Sequence, residues 1–498
     1  MTTDRDLSPG SARKRPNLLL VFADQMRYSS VGYAGEEDVH TPHLDRFAKE
    51  GAFFTNAVSN CAVCAPHRAS LLTGRYPLSN TVFTNNIQLP PDMPSLGKML
   101  KGAGYRTAYI GKWHLAGEPA TDGFVSPGPM RHGFDYWAVH NCSHKYWNGT
   151  YYLSDPQPIT IPGWETDGQT DLALEFLRSH AKSQATDDRP FALVMSWGPP
   201  HTPFIAPPEF AALYDPKKIV LRANVQMRDW LRFGDQRRYD GPHKNPTPEI
   251  VLKDFTARYY AAISNLDHNF GRLLKLLEDL DLAGNSVVVF TSDHGEMLGS
   301  HGQLHKLQPW DESVRVPFLI RYPGPVQPGL RCEVPLGTPD ILATLFGLMR
   351  LRIPQGVEGA DLSPLLRGQV VKEPPSSLLL CVTSADTWSQ RWTDCVIGGW
   401  GYPPGFLRPY RGIRTRTHTY VRDLNGPWFF YDNERDPYQL TNLAEKGGKA
   451  AIPPELDKEL DGWLERTGDF FGGNADYQKH VDLRTGMVLR PEGLRRGI

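Results

Sequence analysis

The chain has 498 residues, which is long enough to bury a large core and to form one large domain with a smaller one. Lys and Arg number 54 against 55 Asp and Glu, and this balance argues against nucleic acid or an acidic membrane as the main partner. The six cysteines are too sparse and irregular for a disulfide framework and fit a reducing compartment; they are Cys61, Cys64, Cys142, Cys332, Cys381 and Cys395.

The N-terminal segment, residues 1–15, is polar and ends in a basic cluster, so we expect it to be disordered. The apolar run that follows, Leu18–Ala23, is interrupted by Asp24 and therefore has the length of a strand, not of an export signal. No run approaches the roughly 20 apolar residues of a membrane span. The sequence therefore predicts a soluble cytoplasmic protein with no membrane partner.

Apolar runs of strand length alternate with helical patterns over the first three quarters of the chain, which predicts an α/β domain with helices on both faces of its sheet. Several runs lack polar alternation, as expected for strands that are buried on both faces. The predicted strands are Leu18–Ala23, Thr107–Ile110, Phe191–Trp197, Val287–Thr291 and Pro317–Arg321. The predicted helices are 41–49, Met93–Ala103 and Phe255–Leu280, and residues 198–248 are typical of a Pro-rich insertion.

A linker rich in Pro and Ser near residues 370–377 predicts a boundary between a large domain over residues 16–372 and a smaller C-terminal domain and tail over residues 373–498. The short apolar patterns after it predict an α+β domain with an antiparallel sheet. Its predicted strands are Leu378–Val382, Tyr410–Thr415, Thr419–Val421 and Trp428–Tyr431, with a helix at Pro454–Leu464. We expect the tail from Asp476 to be irregular.

Polar side chains directly follow two of the predicted strands. Asp24 and Gln25 follow the first strand, and Asp293 and His294 come just after the strand Val287–Thr291. Ligands bind at the carboxyl ends of the strands in open α/β sheets. Two carboxylates, an amide oxygen and an imidazole can together hold one divalent cation, although either pair alone is more typical of a loop or a helix cap.

Residues 63–75 predict a reactive site at the start of a helix. Pro66 favours the first helical turn and Gly74 favours the helix end, so Cys64 is expected beside the N-terminus. Free N–H groups and the helix dipole favour an anion there, and Arg68 adds a fixed positive charge. The pattern indicates a nucleophile facing a tetrahedral oxyanion such as a sulfate or phosphate ester, whereas the triplet 64–66 alone is also typical of a turn with a small buried thiol.

The whole segment 63–75 resembles the formylglycine signature of type I sulfatases, which belong to the alkaline phosphatase-like superfamily. In that signature a maturation enzyme oxidises the Cys of Cys-x-Pro-x-Arg to an aldehyde. Other segments are similar to landmarks of the same family in the expected order, namely residues 41–45, 111–115, 359–366 and 436–443. The resemblance covers roughly residues 16–445 and implies a large mixed β-sheet sandwiched by helices, with the smaller α+β domain at the C-terminus.

The resemblance also implies a role for each site residue. It places formylglycine at Cys64, and one divalent metal ion, usually Ca²⁺, on that residue together with Asp24, Gln25, Asp293 and His294. Five further catalytic residues are implied. Arg68 is implied to steady the modified side chain, and Lys112 and Lys306 to contact the sulfate. His114 is implied to help break down the intermediate, and His201 to act at the leaving group.

Two positions depart from the family pattern. His67 stands where the signature has a small residue such as Ser, which bears on how the maturation enzyme reads this segment. Gln25 stands where a second Asp is commoner and removes one negative charge. Because ligand charge tunes the choice of metal, Mg²⁺ and Mn²⁺ stay open beside Ca²⁺.

These roles predict a sulfuric ester hydrolase that releases sulfate from a sulfated small molecule or, more specifically, a sulfated carbohydrate. A formylglycine-generating enzyme is the implied maturation partner, and the oligomeric state is not set by the sequence. The nearest alternative is a phosphonate monoester or phosphodiester hydrolase of the same superfamily, favoured by Gln25, whereas Lys112 and His114 favour the sulfatase. An alternative of another class is a catalytically silent binding protein with an unmodified Cys64.

The alcohol that carries the sulfate has two candidate binding regions. The aromatic and polar segment Trp137–Tyr152 suits a sugar ring, and it is equally typical of a partly buried, hydrogen-bonded loop. Arg408, Arg411 and Arg414 of the second domain could bind an acidic saccharide or simply pair with local carboxylates.

Overall fold

The computed structural model of the protein describes residues 14–85, 87–117, 123–228, 241, 246–370, 372–382, 408–473, 476–477 and 479–480. Most of the predicted disordered N-terminal segment, Cys395 and residues 481–498 of the predicted irregular tail lie outside these ranges. In the described part of the chain, no helix is both long and apolar enough to cross a membrane.

The strands and helices alternate over the first part of the chain, as predicted. The strands are β1 (Asn17–Asp24), β2 (Ala52–Phe54), β3 (Ala57–Val58), β4 (Arg106–Lys112), β5 (Tyr136–His140), β6 (Thr150–Tyr151), β7 (Ile159–Thr160), β8 (Phe191–Pro200), β9 (Ser286–Ser292), β10 (Phe318–Arg321), β11 (Leu330–Cys332), β12 (Leu336–Gly337), β13 (Ser376–Cys381), β14 (Tyr410–Thr415), β15 (His418–Asp423) and β16 (Gly426–Asp432). The helices are α1 (Pro42–Glu50), α2 (Cys64–Thr73), α3 (Pro77–Asn80), α4 (Leu96–Gly102), α5 (Glu165–Ser183), α6 (Pro208–Ala211), α7 (Pro248–Asp279), α8 (Asp311–Val314), α9 (Thr338–Met349), α10 (Ser363–Leu366), α11 (Leu443–Gly447) and α12 (Pro454–Thr467).

The main sheet has eight strands in the order β11-β2-β10-β9-β1-β8-β4-β5. Strands β9, β1, β8, β4 and β5 run parallel, whereas β10 is antiparallel to both of its neighbours, so the sheet is mixed. The central strand β1 is buried along its whole length. Because successive side chains of a strand point to opposite faces, Leu18, Leu20 and Phe22 join one core while Leu19, Val21 and Ala23 join the other.

Parallel strands place their carboxyl ends at one edge of the sheet, and four of the predicted functional segments meet there. Asp24 ends β1, Lys112 ends β4, and Asp293 and His201 follow β9 and β8. As its sequence predicts, helix α2 begins at Cys64 and ends just before Gly74. Val63, which precedes the helix, is extended, and Gly74 has a left-handed φ of 65°. The site is therefore built on strand ends and one helix start.

Two predicted helices differ from the structure at their starts. Helix α4 begins at Leu96 and not at Met93, because Pro94 disfavours helical geometry before it and Ser95 is extended. Helix α7 begins at Pro248, seven residues before the predicted start. Thr247 caps it by accepting a hydrogen bond from the backbone of Ile250, and a Thr-Pro start of this kind is a signal that periodicity does not detect.

The C-terminal sheet is antiparallel in the order β13-β14-β15-β16, and α12 packs on it. It is tied to the loop before α2 through Asn60, whose side chain donates to Ser377 Oγ (3.1 Å) and to the carbonyl of Leu378. The backbone of Leu380 donates back to the carbonyl of Asn60 (2.7 Å). The C-terminal sheet is thus hydrogen-bonded to a residue that lies four positions before Cys64. The domain boundary predicted after residue 372 stays a prediction.

Gly111 lets β4 approach β8 closely enough to place Lys112. It has a φ of 105°, and a Cβ there would lie 2.0 Å from the carbonyl oxygen of Ser196, its partner on β8. We expect Gly111→Ala to cost about 3 kcal/mol of the free energy of unfolding, from strain and overpacking, and to displace Lys112. Chemical denaturation measures the loss.

Gly102→Ala is the matched control, since a Cβ at this helical position meets nothing within 4 Å. It should leave the protein as stable as the wild type or gain up to about 1 kcal/mol. Equal stabilities of the two variants would contradict the role given to Gly111.

Candidate active site

Four potential ligand atoms converge at this edge of the main sheet. They belong to Asp24, Cys64, Asp293 and His294, and all lie within 4.8 Å of one another. His294 Nε2 is 3.6 Å from a carboxylate oxygen of each aspartate and 3.3 Å from Cys64 Sγ. All four side chains are buried. The fold therefore brings together, from separate segments, four of the five residues that are predicted to hold a metal ion.

This donor set fits a divalent cation. Carboxylate oxygens are preferred ligands of Ca²⁺, Mg²⁺ and Mn²⁺, and imidazole widens the choice among transition metals. Burial, and then the nearby charge of Asp24, raises the pKa of Asp293. Two carboxylates that repel each other in a dry site are stabilised by a shared cation, so we expect Asp24, Asp293 and His294 to hold it.

Arg68 bridges the two carboxylates from one turn further along α2. Its Nη2 lies 3.1 Å from Asp24 Oδ2 and 2.9 Å from Asp293 Oδ2. Its Nη1 donates to the carbonyl of Lys112 (2.9 Å) and to Ser196 Oγ (2.6 Å). Residues four apart share a helix face, so Arg68 and Cys64 point to the same place. The fully buried guanidinium is held by groups from four strands.

Lys112 supplies a second buried cation at Asp24. Its Nζ lies 2.6 Å from Asp24 Oδ2 and 3.9 Å from Cys64 Sγ. Burial opposes ionisation of Asp24, but the charges of Lys112, Arg68 and Lys306 hold the pKa of this carboxyl well below its usual value. Asp24 is therefore an anion in the folded protein.

Lys306 and His201 form a pair on the other side of Cys64. Lys306 Nζ lies 2.9 Å from His201 Nε2, 3.4 Å from Cys64 Sγ and 2.9 Å from Gln25 Oε1. Burial and the ammonium of Lys306 lower the pKa of His201 well below its usual value. The pair consequently holds a neutral imidazole against an ammonium.

His114 lies in the site beside two thiols. The residue is 5% exposed. Burial opposes its protonation, but the charge of Cys142 and the contacts of the ring with the thiols of Cys142 and Cys64 raise the pKa of His114 above its usual value. Its backbone has a left-handed φ of 56° and donates to the carbonyl of Asn141 (2.6 Å).

Gln25 is bound differently from a simple metal ligand. Its Oε1 accepts from Lys306, and its Nε2 donates to Glu296 Oε2 at 2.5 Å. Because an ammonium only donates and a carboxylate accepts, the two partners fix the orientation of the amide. Glu296 was missed by sequence reasoning, and its only signal was its place directly after the segment 293–295.

The cationic environment also acts on Cys64 itself. Burial and the charge of Asp24 oppose ionisation of the thiol, yet Lys112, Lys306 and His294 lower its pKa well below the usual value. His67, the departure beside it, is held through one ring nitrogen. Its Nδ1 lies 3.0 Å from Ser59 Oγ and 3.2 Å from Thr338 Oγ1, and these contacts brace α2.

The arginines proposed to bind a saccharide have carboxylate partners. Arg411 is fully buried against Asp469, and Arg414 Nη1 lies 2.6 Å from Asp311 Oδ1. Arg408 Nη1 lies 2.7 Å from an oxygen of Asp423. Of the two interpretations offered by the sequence, pairing with local carboxylates is the one seen for these three side chains.

Comparison with known proteins gives a family match over most of the chain. Residues 16–351 match the family described as Sulfatase. The ulvan-active sulfatase of Formosa agariphila is 39% identical over 469 residues, which cover 93% of this chain and 84% of that protein. A solved structure from work on glycosaminoglycan metabolism by Bacteroides thetaiotaomicron has a TM-score of 0.77 at 27% identity and covers 92% of this chain and 97% of its own.

A phosphonate monoester hydrolase from Silicibacter pomeroyi has a TM-score of 0.70 at 23% identity, covering 92% of this chain and 96% of its own. At this level of identity the likeness concerns the fold.

The bridge made by Arg68 predicts a large stability effect. In metal-free protein, Arg68→Ala leaves two buried carboxylates without their shared partner and should lower the free energy of unfolding by about 3–5 kcal/mol. Unfolding in urea with a chelator present measures it. The control is Arg272→Ala, which breaks a largely exposed pair with Asp171 and should cost less than about 1 kcal/mol. Similar losses in both variants would contradict the bridging role.

Proposed function

Because the chain belongs to the sulfatase family and is therefore a sulfuric ester hydrolase, we propose that it releases sulfate from a sulfated carbohydrate by means of a formylglycine at position 64. The position of Cys64 is the observation that supports this proposal. Its Sγ lies 3.3 Å from His294 Nε2, 3.4 Å from Lys306 Nζ and 3.7 Å from Asp24 Oδ1, on the first turn of α2. A nucleophile there faces both a cation site and the anion of an ester.

The proposal includes two groups that the chain must acquire. We expect one divalent metal ion, Ca²⁺ before Mg²⁺ or Mn²⁺, held by residue 64 together with Asp24, Gln25, Asp293 and His294. When bound, such an ion lowers the pKa of a hydroxyl at residue 64. A hydrated formylglycine supplies two hydroxyls on one carbon, one to bond to sulfur and one to release the sulfate. A formylglycine-generating enzyme is the required partner.

Three cations of the chain bind the ester and stabilise the charge that develops on it. Lys112 and Lys306 reach Cys64 from two sides, at 3.9 Å and 3.4 Å, and Arg68 lies behind the carboxylates on the same helix face. Preorganised donors in a buried site stabilise a developing oxyanion without having to reorient. Lys112 and Lys306 are therefore proposed to hold the equatorial oxygens of the sulfate, and Arg68 is proposed to add its positive charge from behind the carboxylates.

Two histidines handle protons. His201, with Lys306 donating to its Nε2, is placed to deliver a proton to the departing alcohol. His114, whose pKa is raised by the neighbouring thiols of Cys142 and Cys64, is proposed to take a proton from residue 64 when sulfate leaves. The opposite directions of the pKa shifts of His201 and His114 support giving the two rings different roles.

A carbohydrate is the proposed alcohol because of the relatives and of one exposed ring. The relative from Formosa agariphila is named for ulvan, and the structure from Bacteroides thetaiotaomicron for glycosaminoglycans. Trp147 is 40% exposed and packs edge-on against Trp164, with ring centroids 5.2 Å apart. A rigid aromatic surface of this kind can stack on a sugar ring.

Hydrolysis of a phosphonate monoester or a phosphodiester is the second candidate. The observation that favours it is Gln25, which leaves the metal site with one anionic ligand fewer than a second Asp would. The two reactions share the nucleophile, and both kinds of ester are monoanions. They differ in the atom that is attacked, sulfur or phosphorus, and in the number of terminal oxygens on that atom. Rates on matched sulfate and phosphonate esters separate them.

Replacement of Cys64 tests the proposed function. Cys64→Ala should abolish hydrolysis of 4-nitrophenyl sulfate and of sulfated oligosaccharides while the fold is kept, because no nucleophile remains. Cys61→Ala is the control: this buried thiol lies three residues earlier and should leave turnover intact. Mass spectrometry of the peptide containing residue 64 reports the modification. An active Cys64→Ala enzyme, or a faster wild-type rate on the phosphonate ester, would overturn the proposal.

The metal site has its own test. Calorimetric titration of chelator-treated protein with CaCl₂ should show one site, and Asp293→Asn should weaken binding at least about tenfold, because an anionic ligand is lost. Asp171→Asn, on the exposed face of α5, should bind as the wild type does. Unchanged affinity in Asp293→Asn would place the metal elsewhere.

A further inference from the structure

Three alternate side chains of the segment 142–147 form a connected row beside the catalytic histidines. Cys142 Sγ lies 3.9 Å from His144 Nε2, and His144 Nδ1 lies 3.4 Å from Tyr146 Oη. Tyr146 is buried, whereas Lys145 and Trp147, which lie on either side of it in sequence, are exposed. The row Cys142-His144-Tyr146 therefore faces inward from an irregular segment, and the roles proposed above use none of its members.

The middle member of this row stacks on His201. The rings of His144 and His201 are 4.2 Å apart between centroids and only 8° from parallel. Tyr146 binds to the backbone next to the stacked rings. Its hydroxyl lies 3.0 Å from the carbonyl oxygen of His201 and 3.2 Å from that of Gly198. One face of the His201 ring is thus covered by an aromatic side chain that is itself held at both nitrogens.

The hydrogen-bond partners place the protons on the two rings. His201 Nδ1 is 2.8 Å from the carbonyl oxygen of Thr202, which can only accept, so Nδ1 carries the hydrogen. His201 Nε2 is then a lone pair that receives the ammonium of Lys306 at 2.9 Å. The Tyr146 hydroxyl donates to a carbonyl, so its oxygen accepts from Nδ1–H of His144. His201 therefore rests as the Nδ1–H tautomer, with Nε2 facing Lys306.

The charged and titratable groups around the stack are consistent with this arrangement. Burial, Lys306 and His144 lower the pKa of His201, Asp24 opposes them, and Lys112 adds to them. Cys142 faces His144 from the far side. A second positive charge stacked within 4.2 Å and beside an ammonium would be unfavourable, so the single proton available for the leaving group is shared between Lys306 and His201.

We propose that His144 is a positioning residue for the leaving-group proton: by stacking on His201 it keeps Nε2 aligned with Lys306 Nζ. This inference rests on the proposed function. When the S–O bond breaks, its electron pair goes to the leaving oxygen, which takes the proton held between Nζ and Nε2. Lys306 and His201 are both neutral afterwards, and water returns the proton.

A series of substituted phenyl sulfates tests the inference, because its members differ in leaving-group acidity and hardly in size. For His144→Ala we expect kcat to fall about tenfold on 4-methoxyphenyl sulfate and less than twofold on 4-nitrophenyl sulfate, whose leaving group needs no proton. His144→Phe, which keeps a ring to stack, should restore most of the rate. Equal losses on both esters, no loss, or a Phe variant as slow as Ala would each overturn the proposal.

A second measurement needs no turnover and keeps the two proposals separable. In histidine-labelled protein, ¹⁵N NMR follows the tautomer and titration of His201, assigned by its loss in His201→Gln. We expect His144→Ala to raise the pKa of His201 and to mix its tautomers, and an unchanged His201 signal would overturn the positioning role. Failure of the wild type to hydrolyse any sulfate ester would instead count against the proposed function, while the NMR result still decides the role of His144.

Discussion

The structure of the site depends on how two buried carboxylates, Asp24 and Asp293, are compensated. Both stand at strand ends with no exposure to solvent, and an unpaired charge in such a place is strongly destabilising. Arg68 resolves this by touching both with a single nitrogen. Since Arg68 lies one turn after Cys64, the same contact that compensates the carboxylates places Cys64 beside them. The packing of α2 against the sheet therefore also brings the residues of the candidate site together.

The balance of charge also explains why an anionic ester belongs there. Arg68, Lys112 and Lys306 lie around Asp24 and Asp293, and Glu296 is bound to Gln25 next to Lys306. A sulfate monoester would bring its negative charge close to these buried cations, where electrostatic interactions are stronger than in water. The depressed pKa of the Cys64 thiol is the same effect acting on a group of the protein itself.

What could be predicted from the sequence had a local signal. Asp24 and Asp293 follow apolar strands, and Cys64 precedes a Pro and a helix stop, so their meeting at one sheet edge follows from parallel topology. The contacts that could not be predicted join segments distant in sequence. Glu296 meets Gln25 across the ends of β1 and β9, and the stacking of His144 on a ring after β8 has no periodicity. Side-chain partners of this kind depend on tertiary packing.

In the sequence, Gln25 is notable because it lacks the negative charge of an aspartate. In the structure, its side-chain amide makes two hydrogen bonds that an aspartate could not both make. Its amide donates to Glu296 and accepts from Lys306, while Glu296 Oε1 accepts from the backbone of His305 at 2.6 Å, next to Lys306. These bonds close a ring that returns to Gln25. An aspartate could accept from Lys306 but could not donate to Glu296, so the ring would open. His305 has a φ of 65° and Leu307 one of 77°, a strained backbone that such a ring can hold. Gln25 thus links the end of β1 to Glu296 and to the position of Lys306.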